Sequence, residues 1–303
     1  MKRKKKFSLR QTVTLLLLLG VAVVLGVVSS DSIHGRWAHP KSILVNGNYA
    51  VVDDSLRLNR FSEEDFSRES TGRVRYLPDQ YRTGVDVSLF QGKVDWAKVA
   101  ADGIDFAIVR AGSRSFSDGS LRLDKRFKRN VTEAAKNGLD VGVYFFSQAV
   151  SVQEAAEEAD FLAEQMKGLN ITLPVVFDWE RVDASLDEDG ISRTQNADSE
   201  TVNACAVAFL QEIEAAGYRG MLYCNGDSGY FLFDMALFQD YPLWYASYST
   251  AWPDFYYGVD LWQYSSTGTV DGIDGFVDLS IWPAEEVAED TQSENASEEA
   301  SLS

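Results

Sequence analysis

Between Thr83 and Pro283 the chain alternates between two kinds of segment, and this alternation limits the fold more than any other feature. Seven short runs rich in β-branched and aromatic residues recur in order: TGVDV, DFAIVR, DVGVYFF, LPVVFDW, GMLYCN, PLWYAS and GVDLWQY. Segments with helical spacing and glycine punctuation separate them. In SVQEAAEEADFLAEQMKG, Ser151 stands at an N-cap, Glu154 follows three residues on, and Gly168 marks the stop. DSETVNACAVAFLQEIEAAG reads as a second helix. Strands that are nearly continuous apolar runs need cover on both faces, which implies a parallel sheet wrapped by helices. The fold class expected is α/β, an irregular (β/α) TIM-like barrel over 83–283, although about 200 residues is the lower end for such a barrel. A doubly wound open sheet is the structural alternative.

The flanks have a different character. Lys2, Arg3, Lys4, Lys5 and Lys6 form a basic cap before an almost unbroken apolar run, Val13 to Val28. Residues 1–30 therefore read as a signal-anchor helix, contacting the cell membrane and placing the rest of the chain outside the cell. Cleavage after the small residues near Ser30 is the alternative, giving a secreted protein. Residues 31–82 are expected to form a short juxtamembrane stalk that partly packs on the main domain. Within it, Asn46-Gly47 between apolar runs signals a two-residue hairpin, and RFSEEDFSRES reads as a solvated spacer. Residues 284–303 carry seven acidic residues and no basic or aromatic ones, the composition of a disordered tail.

A net charge of −18 argues against a nucleic-acid partner, because phosphate binding needs clustered Lys and Arg. Both histidines, His34 and His39, precede the barrel segment, which excludes a Ser-His-Asp or Cys-His centre there and argues against zinc. Asp183, Asp187 and Asp189 lack calcium-loop spacing, and no P-loop or GxGxxG motif occurs. No metal or cofactor is expected. Cys205 and Cys224 are expected to be unpaired, and the protein to be a monomer.

In a barrel the chemistry collects at the carboxyl ends of the strands. Here the runs end in Asp86, Arg110, Tyr144, Asp178 with Glu180, Asn225, Tyr248 and Gln263, and a last short segment, FVDLS, carries Asp278. Strand alternation puts Asp178 and Glu180 on one side and Trp179 on the other. Any one of these acids alone is more simply a cap or an ion-pair partner. Four at the ends of one set of strands, without histidine or a metal motif, fit glycoside hydrolysis by Glu180, Asp178, Asp86 and Asp278. Crowded carboxylates raise one another's pKa and keep a proton available for the leaving oxygen. Tyr144, Tyr223, Asn225, Trp244, Tyr248 and Gln263 are the candidates for binding sugar, since aromatic faces with polar handles suit a saccharide groove. Half or more of the many strand aromatics are expected to belong to the core instead.

The ordered segments GVDVSLFQGKVDWAKVAADGIDFAIVRAG, GLDVGVYFFSQA, LPVVFDWE, YCN, LWYASY and LWQYSSTGTVDGIDGFVDLS resemble the glycoside hydrolase family 25 lysozymes, N-acetylmuramidases of the Chalaropsis type, across essentially all of 83–283. The resemblance implies an irregular β/α barrel that cuts the β-1,4 bond between N-acetylmuramic acid and N-acetylglucosamine in peptidoglycan glycan strands. The family's D-x-E motif falls on Asp178 and Glu180, making Glu180 the general acid. Its first-strand and C-terminal aspartates fall on Asp86 and Asp278. One reading makes Asp278 or Asp86 the base or nucleophile. Another has Asp178 orient the substrate's 2-acetamido group, which itself attacks the anomeric carbon. The chain departs from many relatives in having Tyr144-Phe145-Phe146 where they carry a histidine after the tyrosine. A wall-binding module that had lost catalysis would lack one of the acids, and all four are present. A glycosidase for another amino-sugar polymer such as chitin is the remaining alternative, although the chitinase DxxDxDxE motif is absent.

Overall fold

The computed structural model describes residues 41–186, 190 and 192–283. The expected anchor over 1–30, the acidic tail over 284–303, and Asp187 and Asp189 lie outside the described residues. Among those described, no helix is long and apolar enough to cross a membrane.

Eight strands close into a ring. In chain order they are β5 (Tyr81–Val87), β6 (Phe106–Arg114), β8 (Asp140–Ser147), β9 (Val175–Trp179), β10 (Gly220–Asn225), β11 (Leu243–Ala246), β12 (Leu261–Gly268) and β13 (Val277–Pro283). Each pairs with the next, β5 pairs with both β6 and β13, and a short β7 (Leu121–Leu123) hangs on β6 outside the ring. The open-sheet alternative is thereby excluded. From β5 to β12 the neighbours are parallel, whereas β13 runs antiparallel to both β12 and β5. The barrel is irregular in this respect, as the sequence reading expected.

Helices α1 (Trp96–Ala101), α2 (Phe127–Lys136), α3 (Val152–Met166), α4 (Ser199–Ala215) and α5 (Gly226–Phe231) occupy the connections. The expected start signals operate: the Ser151 side chain accepts from the Glu154 N–H to open α3, and Asp198 accepts from Thr201 to open α4. Gly168, at φ +77°, follows the end of α3, a conformation that costs glycine little.

Alternation along the strands separates two cores. Val175, Phe177 and Trp179 of β9 point outward into the large layer under the helices, as do Tyr245, Trp262 and Tyr264. Inside the ring, Phe106, Ile108, Val176, Met221, Tyr223, Trp244 and Leu261 form a smaller cluster. The barrel's lower end is plugged by Phe106. Its ring lies edge-on to Trp282 at 5.9 Å, and a Cβ on Gly84 would meet it at 2.1 Å. Only a glycine leaves room for it there. Cys205 and Cys224 are both free and buried, as expected.

From residue 41 onward, the segment expected to be a stalk packs on the barrel. β1 (Lys41–Val45) and β2 (Asn48–Val52) form the expected hairpin around Asn46 and Gly47, both with positive φ. β3 (Phe66–Arg68) and β4 (Val74–Tyr76) make a second hairpin. The reading of RFSEEDFSRES as a solvated spacer is corrected: Phe61 and Phe66 are buried, and Phe66 packs edge-on against Trp262 at 5.3 Å. A 3-10 turn, Glu63–Asp65, bends the chain so that its acids face solvent while both rings return to the barrel. Arg57 adds two bonds to Asp260, at 2.8 and 2.6 Å, and the Asn59 amide donates to the carbonyls of Pro253 and Phe255.

Candidate active site

One rim of the barrel gathers the four acids. Asp86 ends β5, Asp178 ends β9, and Glu180 follows it on the same inward side, whereas Trp179 turns outward and donates its indole N–H to the Ala149 carbonyl. Asp278 lies near the start of its strand, not the end. Because β13 is antiparallel, that start is at the same rim, directly paired with Asp86 in the sheet register.

The deepest acids hold their protons most tightly. Burial raises the pKa of Asp86 well above the usual carboxylate range, and the charge of Asp278 raises it further. Burial raises the pKa of Asp278 as well, opposed by a hydrogen bond from the Asp86 carboxyl that favours its ionised form. Asp178 is likewise pushed well up, by burial and then by the charge of Glu180, with Arg110 pulling the other way. Its Oδ1 is buried without a hydrogen-bond partner. Glu180 is raised by burial, but a hydrogen bond from Tyr223 favours its ionised form. Burial thus raises all four rim carboxyls, Asp86 and Asp178 furthest, while the less buried Asp278 and Glu180 each accept a hydrogen bond that favours the ionised form.

A polar chain supports Asp86. Gln263 is buried on β12 and donates from Nε2 to Asp86 Oδ2 at 2.7 Å. Its Oε1 accepts from the Tyr248 hydroxyl at 2.7 Å and the Tyr223 hydroxyl at 3.2 Å. Gln263, a candidate for binding sugar, is buried as a link between two phenols and a rim carboxyl. Trp244 is 2% exposed; its Nε1 bonds the Ser280 hydroxyl and its ring lies edge-on to Tyr223 at 5.0 Å. It forms the floor and offers no open face. Tyr144 is partly buried against Trp244. Asn225 is committed elsewhere, since its side-chain oxygen caps α5 by accepting from Ser228. Tyr248, 47% exposed, is the candidate that presents an open aromatic face.

Two contributors escaped the sequence reading. Gln148, buried, donates to the backbone carbonyls of Ser147 and Glu180, both at 2.7 Å, and accepts from Thr194. It fixes the backbone that carries Glu180, and the only signal was a polar residue ending an apolar run. Arg110, noted as a strand end, faces the rim with its guanidinium on Asp124 at 3.0 Å and over the exposed Phe90 ring at 4.9 Å. Asp183, from the acidic loop after the acids, caps Ser185.

The family model described as "Glycosyl hydrolases family 25" matches residues 85–273. The chain belongs to this family. Among family 25 relatives, Lysozyme M1 of Streptomyces globisporus is 28% identical over 210 residues, covering 64% of this chain and 65% of that one. Two solved structures share the fold. The bacterial lysozyme from Streptomyces coelicolor has a TM-score of 0.52 at 23% identity, covering 68% of this chain and 93% of its own. The modular autolysin LytC from Streptococcus pneumoniae, in complex with a synthetic peptidoglycan ligand, has a TM-score of 0.60 at 21% identity, covering 81% and 52%. The chain spans less than two thirds of the length of Lysozyme M1 and about half that of LytC. Asp86, Asp178, Glu180 and Gln263 fall inside the family 25 match, and Asp278 lies five residues beyond it.

Proposed function

We propose that the protein is an exported peptidoglycan hydrolase, a muramidase cleaving the β-1,4 bond between N-acetylmuramic acid and N-acetylglucosamine. The observation that carries this reading is the gathering of four carboxylates on one barrel rim of a family 25 chain, with pKa values spread by burial. Glu180 is the general acid: its pKa is raised, yet it is less buried and less basic than Asp178, so it can release a proton to a leaving oxygen. As that proton moves to the glycosidic oxygen, the C1–O bond breaks.

The orphaned Oδ1 of Asp178 favours the substrate-assisted route over direct attack by an aspartate. An acetamido N–H donates to Asp178 while the acetamido carbonyl oxygen bonds to C1. Water then opens that intermediate, giving its proton to Glu180 and its hydroxyl to C1, so one water is consumed and the acid is restored. Asp278, ionised beside a protonated Asp86, offsets the positive charge developing on the ring. In the cell, residues 1–30 hold the barrel on the outer side of the membrane, next to this polymer, and the enzyme acts as a monomer.

The test is reducing-end release and product mass from purified peptidoglycan, with chitin alongside, for the full chain and for Glu180→Gln. Fragments ending in reducing N-acetylmuramic acid, lost by at least about 10²-fold in the variant, are the expected result. Cleavage of chitin alone would move the substrate to another amino-sugar polymer. Sedimentation of both proteins with the wall and cleavage by neither would make it a binding module.

A further inference from the structure

A second concavity adjoins the acid rim. It is a cleft of about 500 Å³, within the range of small-ligand sites, between the N-terminal cover and the loop after β11. Glu63, Phe66 and Arg68 form one wall, and Tyr248, Ser249 and Thr250 the other. The first wall lies wholly outside the family 25 match, which starts at residue 85. It belongs to the cover that the buried rings of Phe61 and Phe66 tie to the barrel.

Three observations describe what would fit there. Tyr248 belongs to both places: it lines the cleft, and its hydroxyl donates to Gln263, which in turn donates to Asp86. A molecule on the rim therefore continues into the cleft without leaving the protein surface. The walls carry charges of both signs on exposed residues, Glu63 and Arg68, with two hydroxyls opposite. Arg68 is steadied in place by the Tyr264 ring at 5.5 Å and by its bond to the Gly72 carbonyl at 3.1 Å. A neutral sugar hydrogen-bonds to such side chains but neutralises neither charge. A short peptide bearing a carboxylate and an ammonium group uses both, and its amides suit the hydroxyls.

We propose that this cleft is a subsite for the peptide stem carried by the muramyl sugar, with Arg68 on the stem's carboxylate and Glu63 on its ammonium group. The inference rests on the muramidase reading and adds that the enzyme prefers glycan that still bears its peptides.

The full chain is assayed for kcat/KM on soluble glycan strands with peptide stems and on the same strands stripped of stems by an amidase. The expected result is a preference for stem-bearing strands of about tenfold, the size of one charge-assisted hydrogen bond, that falls towards unity in Arg68→Ala and in Glu63→Gln. Titration of a free stem peptide bearing both charges, followed by NMR of 15N-labelled protein, is expected to shift Ser249 and Thr250 amides in the wild type and not in Arg68→Glu. An equal rate on both strands, or a preference that survives both substitutions, overturns the subsite. If neither strand is cut, the muramidase reading fails; the peptide titration then decides the subsite by itself.

Discussion

Replacing Asp178 by Asn should make the folded protein more stable at neutral pH while removing its activity. Asp178 is buried on the barrel rim, with Oδ1 unpartnered and the Glu180 charge nearby. Its pKa in the folded state is well above that of an unfolded chain, about 3.9, so the folded state binds the proton more tightly. Stability is therefore lost as pH rises from that unfolded value through the folded one. An amide carries no charge to desolvate, so the variant escapes this loss. Each pH unit between the unfolded and the folded pKa is worth about 1.4 kcal/mol, and each kcal/mol moves the Tm of a domain this size by about 2–4 °C. Differential scanning calorimetry of both proteins from pH 4 to pH 7 should show curves that coincide near pH 4 and separate in favour of the variant as pH rises, by about 3–6 °C for each pH unit between the unfolded and the folded pKa. A variant less stable than the wild type at pH 7, or a gap that does not change with pH, would refute the reasoning.

Other substitutions read other parts of the site. Gln263→Leu removes the acceptor shared by the Tyr223 and Tyr248 hydroxyls and the amide donor to Asp86, and should cost about 1–3 kcal/mol in urea unfolding. Gln148→Ala releases the Glu180 backbone, so kcat on peptidoglycan should fall by about tenfold, or about 1.4 kcal/mol, with KM little changed. Gly84→Ala pushes a methyl into the Phe106 ring and should destabilise by about 1–3 kcal/mol; the double variant with Phe106→Leu should recover part of that in thermal unfolding.

The ring of strands was legible because its chemistry is local. Each run advertises itself by β-branched and aromatic residues, and period-two alternation assigns Asp178 and Glu180 inward and Trp179 outward. The convergence of the acids could be read from strand ends, but the antiparallel direction of β13 could not, because nothing within FVDLS encodes its partner. Side-chain commitments were equally hidden. Asn225 caps α5 with its side-chain oxygen, and Trp244 lies beneath the site, a depth set by neighbouring strands. Charge density also misled at RFSEEDFSRES, where two buried rings matter more to packing than the acids between them. Gln148 acts through a contact 32 residues away in sequence, which no local pattern shows.

The closing strand decides when the rim is complete. Asp86 and Asp278 stand side by side in the sheet, yet one is in the first barrel strand and the other in the last. A nascent chain that has folded everything up to β12 still lacks one acid and leaves the other without its proton acceptor. Interrupted synthesis, or proteolysis that removes the final strand, therefore leaves no fragment with the complete set of rim acids. The four acids stand together only in the closed barrel.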